Sequence, residues 1–165
     1  MHLVQLFGKR FLRTLIGFDI VVRPLLFLRE YLLGPFMPGA GCAIRYQDAV
    51  LLVRHTYGDR LWRFPAGVAA RGEKMEDTVK REIFEEVGVR LTAVELLTVR
   101  PYRTKMRPRP VSFFRAVVTN PSVVIDELEI AEARWFPWRS LPPLSQGAYY
   151  YYELLCQYEN RLGSR

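Results

Sequence analysis

The chain has 165 residues, half of them hydrophobic, and carries a formal net charge of +7. That length suits one globular domain, and the apolar fraction is sufficient for a packed core. The composition excludes a disordered chain, a collagen-like chain and a low-complexity array. The positive charge favours anionic partners such as phosphates, nucleic acid or an acidic membrane surface, without choosing among them.

Residues that bind zinc or form disulfides are few. Cys42 and Cys156 lie far apart in the sequence, and the only histidines are His2 and His55. This argues against a structural zinc site, which requires clustered Cys and His ligands. We expect two free, buried thiols and a reducing, cytoplasmic environment rather than a disulfide.

Residues 1–38 are interpreted as an apolar, basic N-terminal extension. Apolar side chains recur at helical spacing from Val4 to Val22, which predicts a helical segment. Asp19 and Arg23 interrupt the run, so a membrane-spanning helix is not expected. Two interpretations remain open. The stripe packs on the domain or on a partner subunit, or residues 1–35 lie peripherally on an anionic membrane.

Residues 35–41 are rich in Gly and Pro and predict a linker. Strands are expected at 42–46 and 49–53, which form a hairpin about the Gln47-Asp48 turn, and a third strand is expected at 61–64. Further strands are expected at 91–102, 111–119 and 132–137, and a last helix at 148–161. This order predicts an α/β fold in which helices cover a mixed sheet.

A helix is predicted over residues 74–87, and Gly88 is a typical residue for its C-terminal end. Its apolar row consists of Met75, Val79, Ile83 and Val87. The helix also carries Glu82, Glu85 and Glu86, at a spacing that places like charges together and costs about a few tenths of a kcal/mol per pair. Such a face is either merely solvated or binds a hard cation such as Mg²⁺.

The surrounding pattern favours the cation. Gly67 is followed after five residues by Glu73 and after seven more by Arg-Glu-Ile-Phe-Glu-Glu-Val-Gly-Val at 81–89. This run resembles the Nudix box at every defined position. The flanking segments Trp62–Gly67 and Ala133–Pro137 are similar to the entry and closing strands of the same family. The resemblance covers about residues 40–160 and implies a Nudix fold, an α/β/α sandwich with a mixed sheet, over residues 39–165.

The resemblance also implies a site. The residues that match metal ligands, for Mg²⁺ or for Mn²⁺ in its place, are Glu82, Glu85, Glu86, the Gly67 carbonyl and Glu129. Glu82 matches the base that activates water, while Arg81 and Glu73 match a pair that orients the catalytic carboxylates. Three acidic residues near Glu129 remain alternatives for the late carboxylate: Asp126, Glu127 and Glu132.

Basic residues indicate where an anionic substrate would bind. Arg100, Arg103 and Lys105 lie where one predicted strand ends and the connection to the next begins, and together with Arg63 they are expected to contact phosphates. A solvated hairpin tip is the alternative, because Pro108 and Pro110 are typical of a turn.

The implied activity is Mg²⁺-dependent cleavage of the pyrophosphate linkage of a nucleoside diphosphate derivative: a nucleotide sugar, ADP-ribose or a nucleoside triphosphate. The alternative is a Nudix-fold module of weak catalytic activity that senses a nucleotide or associates with a membrane. An inactive module would be expected to lose carboxylates of the box, and this sequence retains them all. RNA as a substrate and homodimer formation both remain open.

Overall fold

The structure is a computed structural model that describes residues 37–103 and 108–163. Its strands are β1 (Gly39–Tyr46), β2 (Ala49–His55), β3 (Ala66–Val68), β4 (Glu95–Arg103), β5 (Pro108–Val117) and β6 (Ile130–Pro137), and its helices are α1 (Met75–Val87) and α2 (Gln146–Gly163). The extension at 1–35, with its apolar stripe, lies outside the described residues. Its separation from the domain and its contact with a membrane therefore stay predictions.

The strands form one six-stranded mixed sheet, as predicted. Its order is β4-β5-β1-β2-β6, and β3 pairs with the first residues of β1. β1 and β5 run parallel, whereas the other pairs are antiparallel. The predicted hairpin is confirmed by the antiparallel pairing of β1 with β2, in which Tyr46 lies opposite Ala49.

Two helices cover opposite faces of the sheet. Successive side chains of a strand point to opposite faces. Leu51 and Val53 pack in the same buried cluster as Ile83 of α1. Leu52 packs in a second cluster with Leu155 of α2. The predicted α/β/α sandwich is therefore confirmed. No helix of the described residues is sufficiently long and apolar to cross a bilayer.

α1 has the predicted extent and the predicted end. Val79, Ile83 and Val87 are fully buried, which explains the apolar row in the sequence. Gly88 has a φ of 70° and donates its N–H to the carbonyl of Phe84. Glycine adopts this left-handed conformation without steric cost, so the helix ends there.

The third strand was predicted at the wrong place. Residues 61–64 form only isolated bridges, between Val53 and Arg63 and between Trp62 and Leu144. The strand lies later in the chain, at β3, which begins at Ala66 rather than at residue 61. Proline at position 65 cannot donate to a strand ladder, although its carbonyl accepts a bond from the Cys42 N–H. The chain therefore leaves the sheet before residue 65 and rejoins it against β1.

The predicted linker at 35–41 is also corrected, because its last three residues belong to β1. Here glycine permits close strand packing rather than flexibility. A Cβ on Gly41 would lie 3.1 Å from the Ala66 Cβ, which is closer than an ordinary contact. The predicted start of β4 is also corrected. β4 begins at Glu95 and not at residue 91, because the Leu91 side chain packs in the buried cluster beneath α1.

The two cysteines are free, as predicted. Cys42 is buried in β1, and burial raises the pKa of its thiol far above the ordinary value. Cys156 on α2 is only half-buried, so the expectation of two buried thiols is correct for Cys42 alone.

Candidate active site

The three carboxylates of α1 do not share one environment. Glu82 and Glu86 are 5% and 4% exposed, whereas the Glu85 side chain is 54% exposed. Glu82 and Glu86 are separated by one helical turn and so lie on the same face of α1. The Glu82 and Glu86 carboxylates therefore lie against the sheet, whereas the Glu85 carboxylate lies at the solvent-exposed edge of the site.

β3 packs directly on the two buried carboxylates. The Ala66 N–H donates to Oε2 of Glu86 over 3.1 Å. Gly67 lies so close to α1 that a Cβ at this position would be 2.1 Å from Cδ and Oε2 of Glu82. Glycine is therefore required sterically at position 67, and the Ala66 N–H is a contact that the sequence did not reveal.

Arg81 donates hydrogen bonds to four residues around these carboxylates. Its Nε and Nη2 donate to the two oxygens of Glu73, each over 2.8 Å. Its Nη1 donates to Oε1 of Glu82 over 2.8 Å and to Oε2 of Glu85 over 3.1 Å. Nη2 also reaches the carbonyl of Val68 at 3.2 Å. A bidentate arginine–carboxylate pair has a defined geometry, so it fixes where Nη1 meets Glu82.

Glu73 is held in the ionised form that this pair requires. Its Oε2 also accepts bonds from the Ala70 N–H, over 2.7 Å, and the Thr78 hydroxyl, over 2.9 Å. The hydrogen bonds from Arg81 lower the pKa of Glu73 to about 2, and the Ala70 and Thr78 bonds act in the same direction. The loop before α1 and the middle of α1 are thereby joined by one charged network.

Glu86 is buried and is subject to the negative charges of other carboxylates. Burial raises its pKa well above the ordinary value, and the charges of Glu82 and Glu129 raise it further. The Ala66 N–H and the Arg63 guanidinium act in the opposite direction. The charges of two other carboxylates thus act on Glu86, and one of them, Glu129, is 43 residues away in the sequence.

The alternatives to Glu129 have other surroundings. Glu132 forms ion pairs with Arg54 and Arg134 on the β2 and β6 strands. Asp126 accepts the Leu128 N–H through its Oδ1 over 3.0 Å, which is a structural bond within the loop. Glu127 is exposed. The charge of Glu129 raises the pKa of Glu86, and Glu129 stays the predicted late carboxylate.

The predicted substrate-binding residues are not all at this site. Arg63 forms an ion pair with Asp59 and acts electrostatically on Glu86. Arg100 lies on the α2 side of the sheet, with its guanidinium 3.8 Å from the centre of the Tyr150 ring. Arg103 is the last residue of β4. Lys105 lies outside the described residues.

The candidate metal ligands of the site have the chemistry that a divalent cation requires. They are carboxylates and a backbone carbonyl, and Mg²⁺ and Mn²⁺ prefer such oxygen ligands. Within residues 37–103 and 108–163, no three acidic, His or Cys side chains stand close enough to hold an ion as they are. Nη1 of Arg81 instead bridges Glu82 and Glu85. A cation would therefore compete with this guanidinium for the oxygens of Glu82 and Glu85.

Residues 35–157 match the family model of the NUDIX domain. The chain belongs to the Nudix family. A curated relative, the NAD-capped RNA hydrolase NudC of Enterobacter sp. (strain 638), is 34% identical to this Nudix chain over 106 residues, which are 62% of this chain and 39% of the relative. The same identity and coverage are found for NudC of Salmonella typhi. The match thus spans about two fifths of the length of these curated relatives.

Solved structures show the same fold. A MutT Nudix hydrolase from Burkholderia pseudomallei has a TM-score of 0.67 at 24% identity and covers 73% of this Nudix chain and 98% of its own. The Nudix domain of Shewanella oneidensis NrtR, crystallised with ADP ribose, has a TM-score of 0.65 at 18% identity and covers 77% and 90%. At these identities the likeness establishes the fold alone.

Proposed function

We propose that this Nudix chain is a divalent-metal-dependent hydrolase that cleaves the pyrophosphate linkage of a nucleoside diphosphate derivative. The observation that carries the proposal is the burial of Glu82 and Glu86 side by side on α1, with the charge of Glu129 acting on the same place. Buried carboxylates are costly unless an opposite charge compensates them. A divalent cation supplies that charge and also binds phosphate oxygens.

Each residue of the site then has a role. The ligands of the cation would be Glu82, Glu85, Glu86, Glu129 and the Gly67 carbonyl, and the bound cation supplies charge neutralisation and makes water more acidic. Glu82 accepts the proton of the attacking water. Arg81 orients Glu82 through Nη1, while Glu73 holds Arg81 through two parallel bonds.

Arg63 is the basic side chain best placed for the phosphates. It shares the electrostatic environment of Glu86 and is held by Asp59 on the preceding turn. Arg100 lies on the face that α2 covers, opposite α1, so its predicted contact with the substrate, like those of Arg103 and Lys105, stays a prediction.

The names of the curated relatives give a first choice of substrates to test. NudC is named an NAD-capped RNA hydrolase, so a dinucleotide with an internal pyrophosphate, free or at an RNA 5′ end, is the leading candidate. The net charge of +7 is consistent with an RNA substrate. ADP-ribose, nucleotide sugars and nucleoside triphosphates complete the panel.

The test is release of nucleoside monophosphate or phosphate from this panel, with Mg²⁺, Mn²⁺ or EDTA. Glu82→Gln should lower kcat by about 10²–10⁴-fold, the usual contribution of a general base. Glu153→Gln is the matched control, because Glu153 is an exposed carboxylate on α2. Turnover that survives EDTA, or an unchanged kcat in Glu82→Gln, would contradict the mechanism. Nucleotide binding without turnover on any substrate would instead support a sensing module.

A further inference from the structure

A loop between the sheet and α1 carries the late carboxylate of the site. This late loop, Asp126–Glu129, precedes β6 and is bound at both ends. The N–H of Asp126 donates to the carbonyl of Glu86 over 2.9 Å, so the start of the loop is attached to α1. The N–H groups of Glu129 and Ile130 both donate to the carbonyl of Asp126, which closes the loop into a tight turn.

Thr56 attaches the other end of the loop. It is the first residue after β2 and is only 8% exposed. Its N–H donates to the carbonyl of Glu129 over 3.0 Å. Its hydroxyl donates to the carbonyl of Leu128 over 2.9 Å and lies 3.3 Å from that of Glu129. One residue thus binds two consecutive peptide groups, those on either side of the Glu129 α-carbon.

This attachment fixes the backbone from which the Glu129 side chain extends. No local sequence pattern places Glu129 near α1, because the late loop is irregular in structure. The bonds from Thr56 hold it against the end of β2, and the Asp126 bond holds it against α1. Because Asp126 accepts the Glu129 N–H and is itself bonded to the Glu86 carbonyl, Glu129 lies one tight turn of the loop away from α1.

We propose that Thr56 is a positioning residue that places Glu129 at the divalent-cation site of α1. The inference rests on the proposed function and extends it to a side chain outside the Nudix box. Residues that orient metal ligands commonly change metal affinity or activity by about 10–100-fold when they are replaced. Because Thr56→Val keeps the bond from the N–H, we expect the lower end of that range.

The experiment compares Thr56→Val with Thr56→Ser in the full chain. Valine has the shape of threonine without its donor, whereas serine keeps the hydroxyl. We expect Thr56→Val to lower kcat and to raise the Kd for Mn²⁺, measured calorimetrically without substrate, by about tenfold each. Thr56→Ser should stay within about threefold of the wild type. Thr98→Val on β4 controls for the loss of a threonine hydroxyl elsewhere.

A double-mutant cycle with Glu129→Gln separates positioning from general stability. In the Glu129→Gln background, Thr56→Val should cause no further loss of kcat or Mn²⁺ affinity, because the carboxylate that it positions is already absent. Equal losses in both backgrounds, or a Kd for Mn²⁺ that Thr56→Val leaves unchanged, would overturn the inference.

The Mn²⁺ titration also distinguishes this inference from the proposed function. A wild type that binds Mn²⁺ but turns over no substrate would contradict the proposed hydrolase activity. In that case a Kd for Mn²⁺ that Thr56→Val raises, and that Thr56→Ser and Thr98→Val leave unchanged, would still support the positioning role. A wild type that turns over substrate with additive mutant effects would contradict the positioning role alone. A wild type that binds no Mn²⁺ would overturn both.

Discussion

Replacing Gly67 by alanine perturbs the contact between β3 and the buried carboxylate of Glu82 by a single methyl group. The new Cβ would lie 2.1 Å from Cδ and Oε2 of Glu82 and 2.4 Å from its Cγ. Carbon atoms in contact are normally about 3.5–4.0 Å apart, so the carboxylate has to move by more than about 1 Å. Gly67 is not among the described glycines with positive φ, so alanine adds no backbone strain there.

The magnitude of the effect on catalysis follows from this displacement. A misplacement of about 1 Å in a catalytic group costs on the order of 100-fold in rate, which corresponds to about 2.7 kcal/mol in the activation barrier. The atoms displaced are the end of a side chain rather than backbone. We therefore expect the free energy of unfolding to fall by only about 1 kcal/mol, while kcat falls about 100-fold.

The assay is steady-state hydrolysis with Mg²⁺ on the best substrate of the panel, with urea denaturation of the same samples. Gly39→Ala is the matched control, because Gly39 pairs with Val68 in the same two strands and its Cβ would meet its nearest atoms at 3.4 Å. It should keep kcat within about threefold of the wild type. A wild-type kcat in Gly67→Ala would refute the argument that the position of the Glu82 carboxylate determines the rate.

Three further predictions concern the charged network and the end of α1. Arg81→Lys cannot form the two parallel bonds to Glu73 and should lower kcat by about 10–100-fold in the hydrolysis assay. Because folding lowers the pKa of Glu73 from 4.5 to about 2, its ionised form stabilises the fold above pH 4.5, and this contribution is lost as the pH falls towards 2. Glu73→Gln should therefore flatten the dependence of unfolding free energy on pH in that window. Gly88→Ala places a Cβ at a φ of 70° and 3.1 Å from Val124, and should destabilise the chain by about 2 kcal/mol in urea denaturation. Gly58→Ala, at a φ of 79° with open space around it, should cost only about 1 kcal/mol.

Each of these has an outcome that contradicts it. Full activity in Arg81→Lys would show that point charge rather than bidentate geometry orients Glu82. A Glu73→Gln variant that loses stability between pH 4.5 and pH 2 as steeply as the wild type would show that another carboxylate causes the loss. Equal costs at Gly88 and Gly58 would mean that the contact with Val124 contributes nothing.

Local sequence patterns predicted the parts of the fold that depend on local geometry. The spacing of Met75, Val79 and Ile83 predicted α1, and Gly88 predicted its end, because helix periodicity and left-handed caps are properties of short segments. The same approach misplaced β3. Residues 61–64 have the composition of a strand, but Pro65 and the partner that β1 offers at Gly39 decide where the chain pairs.

For the site, the sequence by itself determined which carboxylates are present and that Glu82, Glu85 and Glu86 lie within one turn of a helix. Only the tertiary structure decided that Glu82 and Glu86 are buried while Glu85 is at the rim. The physical reason is that helix periodicity fixes the angle between side chains, whereas burial depends on what packs against the helix, here Ala66 and Gly67 of β3.

The same reason applies to contacts between distant segments. Nothing local in the sequence connects Thr56 with Glu129, because their bonds form only when β2 and β6 are neighbours in the sheet. Arg100 was grouped with the phosphate-binding residues by its charge, yet the alternation of β4 places it on the face that α2 covers. Residue type and local periodicity are encoded within short segments of sequence, whereas burial, charge compensation and the pairing of remote loops arise only from the assembled sheet.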